Sequence, residues 1–355
     1  MTAQISLRQT LVFLAFGIGP AVSASRAAAQ GCEPIRFTVP ISLGGEGQAY
    51  QPRHEWQLTL AYRRLSSNEF FVGTSESLPP VLNGRAPYFK IHTAIADVAY
   101  SINDRFRVRA SVPFSTGSMS RIWADKVSHE QTATGLGDVS VMGEGWLLAP
   151  RTHTHGNIAF GLGVKAPTGT HKAVSKFYTA TSAVDFPAET TIQPGDGGWA
   201  VLLQVQGFRQ VTDRTFAYAF GSYMISPKAE SELQQSPTVA TKWSVPDVYS
   251  TRLGAAFALL PDHGLTMSLG ARMDGIPIHD LLGGGDATTI KRTSFIMYAD
   301  PGLSYTQSKG TLTLSVPYRL RVNRKKSVLE QNTVNGLNGG GFAKYLVFLS
   351  YTHRL

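Results

Sequence analysis

From His54 to the last residue the chain alternates apolar and polar side chains with a period of two. In Trp56-Gln57-Leu58-Thr59-Leu60-Ala61-Tyr62 the even positions are apolar or aromatic, and Phe106-Arg107-Val108-Arg109-Ala110-Ser111-Val112 repeats the pattern. In 311–324, Leu312, Leu314, Val316, Tyr318, Leu320 and Val322 alternate with mainly polar neighbours. A helix, with its period of 3.6, would scatter these residues around its circumference; a strand sends them to opposite faces. Twelve such segments stand out: 54–65, 88–102, 105–117, 135–148, 156–167, 198–211, 214–226, 247–260, 264–275, 292–307, 311–324 and 342–355. Each is long enough to cross a bilayer as a tilted strand, which takes about 9–11 residues.

The connections alternate as well. Those at Asn103-Asp104, 149–155, Thr212-Asp213, Pro261-Asp262-His263 and Ser308-Lys309-Gly310 are short. Those at 66–87, 118–134, 168–197, 227–246, 276–291 and 325–341 are long. Short periplasmic turns and long outer loops define a membrane barrel. The pattern predicts an all-β fold over 54–355, a transmembrane up-and-down antiparallel β-barrel of about twelve strands with both termini in the periplasm. The alternative, an exported β-sandwich or multi-domain β protein, has no systematic alternation of loop length. The final segment places Tyr345, Val347, Leu349, Tyr351, His353 and Leu355 on one face. This resembles the closing strand of outer-membrane barrels that the barrel-assembly machinery recognises, although Leu355 stands where phenylalanine is common.

Composition narrows the class. Charged residues are 16% and aromatic residues 10%, with 35 glycines; the mean hydropathy is −0.06. A bundle of membrane helices would be far more apolar, and a disordered chain more charged and less aromatic. Residues 1–29 read as a signal peptide: Arg8, the apolar stretch 11–22, then Ala27-Ala28-Ala29 as a cleavage site. A buried N-terminal helix is the alternative, weakened by Gly17, Gly19 and Pro20. Cleavage removes Arg8 and Arg26 and no acid, taking the formal net charge from +9 to +7. Export argues against nucleic acid as the partner of this charge and for the acidic lipids and lipopolysaccharide of the Gram-negative outer membrane. The single cysteine, Cys32, excludes an intrachain disulfide. Ala29-Gln30-Gly31-Cys32 faintly resembles a lipoprotein cleavage box without its usual aliphatic residue; a plain free cysteine is the other reading. Residues 30–53, with Pro34, Pro40, Pro52 and Gly44-Gly45-Glu46-Gly47, form an N-terminal periplasmic segment, either a plug or a mobile tail.

A basic side chain facing lipid at mid-depth costs about 2–4 kcal/mol, so charges within strands point inward. This assigns Glu55, Arg63, Asp97, Arg107, Arg109, Asp138, Glu144, Lys165, Arg252, Arg272, Asp274, Asp300, Arg319 and Arg321 to the lumen, with Asp97 near Arg109 on the adjacent strand. They make either a weakly basic conduit or a salt-bridged plug. Met142, Trp146, Leu202, Phe208, Ile296, Tyr298, Leu346 and Phe348 share the inward parity, so the lumen suits small amphipathic or aromatic solutes, or is packed shut.

Catalytic and cofactor motifs are weak. Ser128-His129 with Glu130 is the best hydrolase candidate, and the His-x-Ser-Asn-Gly run of outer-membrane phospholipases is missing. Thr152-His153-Thr154-His155 offers two imidazoles without a third ligand. Gly135-Leu136-Gly137 and Gly283-Gly284-Gly285 lack the strand-to-helix setting of a nucleotide loop, so no cofactor is expected.

Three stretches carry a family resemblance: Gly135-Leu136-Gly137-Asp138-Val139, Gly163-Val164-Lys165-Ala166-Pro167-Thr168-Gly169, and Gly275-Ile276-Pro277-Ile278-His279-Asp280-Leu281-Leu282-Gly283-Gly284. Over 54–355 the chain resembles outer-membrane proteins of the phenol-degradation meta-pathway type. The resemblance implies a barrel that takes up small hydrophobic compounds and names no solute. The expectation is a passive channel; the alternatives are a closed structural or adhesin-like barrel and a lipid hydrolase.

Overall fold

The computed structural model describes residues 50–333 and 339–355, apart from Pro79, Pro80, Leu82 and Arg85. The expected signal peptide, Cys32 and all of 30–53 before Tyr50 lie outside the described residues. Chain order gives β1 (Trp56–Val72), β2 (Ser75–Glu76), β3 (Tyr88–Ser101), β4 (Phe106–Ile122), β5 (Ser128–Leu136), β6 (Ser140–Trp146) and β7 (Gly156–Lys165). There follow β8 (Val174–Tyr178), β9 (Ala183–Pro187), β10 (Ala200–Thr212), β11 (Thr215–Ile225), β12 (Glu230–Ser236), β13 (Val239–Ser244) and β14 (Val248–Leu260). Last come β15 (Leu265–Ile276), β16 (Ser294–Gln307), β17 (Gly310–Ser315), β18 (Tyr318–Asn323) and β19 (Gly339–Arg354).

Neighbouring wall strands pair antiparallel, and β19 returns to β1 from Gln57↔Arg354 to Val72↔Gly339, closing a twelve-strand barrel. Pairing of the first wall strand with the last leaves no open edge at the seam, as hydrocarbon requires. Leu60, Phe106, Phe160, Leu162, Leu253, Leu269 and Leu349 lie exposed on the outer face. A water-soluble monomer seldom bares so continuous an apolar band; here it faces lipid. No described helix is long and apolar enough to cross a membrane.

Two wall strands are composite. The eleventh breaks at Val316-Pro317, where proline has no N–H to give; Val316 N donates to Pro301 O (3.1 Å) and Leu346 N to Pro317 O (3.0 Å). The fourth breaks at Gly137–Val139, inside the segment expected to run from 135 to 148. Its upper half, β5, pairs with an extended β4, so the expected loop 118–134 is mostly hairpin with its turn at 123–127. The alternation faded there because the outer face carries Thr116, Ser118, Ser120, Glu130, Thr132 and Thr134. These positions stand above the lipid, where the hydrophobic requirement ends. Two-stranded hairpins β8–β9 and β12–β13 likewise occupy the expected loops 168–197 and 227–246.

The hydrophobic core sits inside the barrel, toward the long-loop end. Leu65, Phe89, Met119, Ile296, Tyr298, Phe342 and Leu346 pack there around Ile192 from the connection between β9 and β10.

Candidate solute pathway

At the short-turn end Tyr50 packs edge-on against Trp146 (5.0 Å between centroids) and Phe208 (5.6 Å). Its hydroxyl donates to the His153 carbonyl at 2.5 Å. Parity placed Trp146 and Phe208 inward; Tyr50 brings residues 50–53 into the same mouth. His153 and His155 do not converge: His153 bonds Thr152, while His155 bonds Gln210.

Above this lies a belt of ion pairs in two groups. On β3, β4 and β6, Arg109 meets Asp97 at 2.8 Å and Glu144 at 3.3 Å, and Arg107 also binds Glu144. Gln204 on β10 donates to Glu144 at 3.2 Å. On β14 to β17, Arg252 lies 2.5 Å from Asp300 and Arg272 lies 2.7 Å from Asp274. Ser250 and Ser315 complete this second group by donating to Asp274 and Asp300. Glu55 is half-buried at the rim just before β1. Arg63 is buried and donates to Thr93 at 3.2 Å. Arg319 binds Glu69 and lies 4.5 Å above the Phe71 ring.

Arg321 departs from the expected inward placement. Tyr298 is opposite Arg319 but Met297 is opposite Arg321, so Leu320 is an extra residue in the ladder. This bulge inverts the parity beyond it: Val322 turns inward and Arg321 is exposed on the other face.

Asp138 and Lys165 act on a connection as well as on the wall. Lys165 is fully buried, 3.3 Å from Asp138 and 2.5 Å from Asp196. Asp138 also accepts the backbone N–H groups of Gly169 (3.0 Å) and Asp196 (3.1 Å). The connection between β7 and β10 is thus clamped at the break in the fourth wall strand. Glycine is required at 169 by crowding: a Cβ there would lie 2.6 Å from the Gly137 carbonyl carbon. From the clamp, 188–196 runs through the barrel interior. Gln193 holds its shape by bonding Ala173 on both sides of the amide and the Ala188 carbonyl.

The described cavities follow the barrel axis and shrink inward. A cavity of about 390 Å³ lies among the hairpins at the long-loop end. One of about 130 Å³ flanks Ile192, followed by one of about 60 Å³ between the Asp97–Arg109 pair, Leu202 and Met224. The lowest, about 10 Å³, lies beside Arg107 and Glu144 and barely has room for one water.

The outer cavity is aromatic. Phe70, Phe89, Trp123, Phe177, Phe186 and Trp243 line it, with Trp123 and Phe177 5.0 Å apart at a steep angle. The Arg121 guanidinium lies 4.1 Å from the Trp123 ring and that of Arg292 lies 4.2 Å from Trp243. Arg292 is ion-paired to Glu189. Burial pushes the Glu189 carboxyl up, but Arg292 and the hydrogen bonds of Thr191 outweigh it and hold the group below the usual carboxylate range. His129 binds Asp125 at 2.6 Å and stacks on Tyr178 at 3.6 Å; its neighbour Ser128 takes no part in either contact. None of the aromatic lining stood out along the chain. Its one trace was the placement of Phe177, Phe186 and Trp243 in segments with no lipid to face.

No family model matches the chain, and no curated protein matches it by sequence. Solved structures do match. An outer membrane channel from Pseudomonas putida F1 superposes with a TM-score of 0.60 at 12% identity, covering 88% of this chain and all of the other. The Ralstonia pickettii toluene transporter TbuX gives 0.42 at 11%, covering 86% of this chain and 90% of its own. The translocator domain of the Neisseria meningitidis autotransporter NalP gives the same TM-score of 0.42 at 11%, over 85% and 88%. The first match establishes the fold, a closed twelve-stranded membrane barrel. At TM-scores of 0.42 a transporter and a translocator are not distinguished.

Proposed function

We propose that this protein is a channel of the Gram-negative outer membrane that passes small, largely apolar solutes inward. The observation that carries this reading is the series of narrowing cavities inside a lipid-facing barrel, beginning in an aromatic chamber. The long loops then face outward and the short turns face the periplasm, reached through a cleaved signal peptide and the barrel-assembly machinery, with lipopolysaccharide around the rim. The resemblance to the phenol-degradation type makes phenol the first solute to try. Arg107, Arg109, Asp97 and Glu144 form the narrow belt, and segment 30–53 serves as a periplasmic plug, a role supported by the packing of Tyr50 on Trp146 and Phe208.

Proteoliposome swelling tests the reading. Vesicles holding the purified barrel should admit phenol faster than protein-free vesicles do, by a larger factor than for glucose, and deletion of 189–195 should raise both rates further. A second reading, a structural barrel with a closed lumen, is favoured by the buried ion pairs of the belt. Failure of both proteins to raise either rate above that of protein-free vesicles would establish it.

A further inference from the structure

The outer cavity has more positive than negative charge. Two guanidinium groups, Arg121 and Arg292, face it together with one carboxylate, Glu189. Glu189 is bound to Arg292 and to Thr191. Arg121 has no ion pair among the described residues; it lies on the Trp123 ring, and its Nε is buried without a hydrogen-bond partner. A guanidinium that faces a cavity without an ion pair is a ready partner for an anion arriving there, through charge-assisted hydrogen bonds. The strand fixes this placement. Arg121 shares the inward parity of Arg109 and Met119, and the β4–β5 hairpin carries it above the wall into the chamber.

Gln131, Gln234, Gln235 and Ser236 add neutral polar groups, and most of the remaining lining is apolar. Trp123, Phe177, Phe186 and Trp243 present ring faces and edges, with Phe89 and Met119 beneath them. An apolar cavity of about 150 Å³ holds benzene. At about 390 Å³ this one has room for a fused two-ring system with a polar substituent.

We infer that the outer chamber binds aromatic monocarboxylates, with the ring among Trp123, Phe177 and Trp243 and the carboxylate on Arg121. The inference names the solute class of the channel proposed above and rests on that reading. Two guanidinium groups sharing one carboxylate, Glu189, leave the chamber a net single positive charge, which suits a monoanion. A neutral aromatic of the same shape would fill the chamber and leave Arg121 unsatisfied. A planar carboxylate also matches the fork of a guanidinium, which an alcohol does not.

Calorimetric titration of the purified full-length barrel in detergent separates binding from passage. The probes are 2-naphthoate and its neutral counterpart 2-naphthalenemethanol. The wild type should bind naphthoate about tenfold or more tightly than the alcohol, the scale of one charge-assisted hydrogen-bonded contact. Arg121→Gln should lower naphthoate affinity about tenfold and leave that of the alcohol within about twofold; Arg121→Lys, which keeps the charge and loses the planar fork, should retain only part of the preference. Equal binding of the two probes by the wild type, or full naphthoate affinity in folded Arg121→Gln, overturns the assignment. If Arg121→Gln does not fold, as judged by heat-modifiable gel mobility, Glu189→Gln decides. Removing the one competing carboxylate should tighten naphthoate, and unchanged or weaker binding overturns the proposal. If naphthoate binds as stated but liposomes admit no solute, the channel reading fails and the binding site stands. Swelling with phenol but no naphthoate preference keeps the channel and removes the carboxylate site.

Discussion

At the scale of the residue, the lumenal charges are set by their partners more than by their sign. Lys165 between Asp138 and Asp196 is the clearest case, being fully buried with both carboxylates within ion-pair distance. Lys165→Met would strand two carboxylates, and removing one partner of a buried pair costs about 3–5 kcal/mol. The heat-modification temperature should therefore fall, and Asp138→Asn with Asp196→Asn in the same chain should restore much of it. A triple variant no more stable than Lys165→Met would rule out the clamp. Glu189 adds a pH dependence. Its folded value lies below its unfolded one, about 4.3 for a free glutamate, so its contribution is complete above that value and is lost as pH falls through the folded one. Protease protection of the connection between β9 and β10 should be the same at pH 7 and pH 5 and should drop only in more acidic buffer. Loss of protection already at pH 6 would exclude this carboxylate as the cause.

At the scale of the element, β19 and the connection 188–196 have opposite duties. β19 pairs with β1 on one side and with β17 on the other, through Thr59↔Thr352 and Thr311↔Thr352 among others. Removing 352–355 deletes the lowest rungs of both ladders and opens an edge that hydrocarbon cannot tolerate. The truncated chain should stay in the periplasm and be degraded; normal amounts of heat-modifiable barrel would contradict this. The connection 188–196 closes nothing in the wall. Ile192 is 1% exposed and fills the interior in one buried cluster with Met119 and Leu346. Ile192→Ala should widen the passage beside it. It should raise single-channel conductance in planar bilayers while costing about 2–5 kcal/mol of stability. A less stable channel of unchanged conductance would move the constriction down to the ion-pair belt.

At the scale of the molecule, the belt and the orientation decide what the barrel does. Arg107→Gln with Arg109→Gln would leave Asp97 and Glu144 without their cations. Heat stability should fall and the reversal potential in a salt gradient should move toward cations, more at low salt than at high salt because screening is weaker there. A lower melting temperature with an unmoved potential would make the belt purely structural. Orientation is checked by an epitope tag at Glu232 in β12, which should be labelled on intact cells. Labelling only after permeabilisation would invert the barrel.

The wall is legible in the chain alone. Lipid imposes a period-two apolar stripe on each strand, and a stripe is local enough to be read from neighbouring residues. Trp56 to Tyr62 and Phe106 to Val112 show it plainly, and the alternation of connections adds strand order and closure. Parity also placed Asp97 beside Arg109. Parity fails where the register slips: the bulge at Leu320 turns Arg321 out, and nothing local announces an extra residue. The interior was settled by tertiary contacts. That Asp138 meets Asp196, that Ile192 enters the barrel, and that Arg121 shares a chamber with Trp243 all depend on residues far apart in the chain. Above the lipid both faces of a strand meet protein or water, so the periodic signal ends where the outer chamber begins.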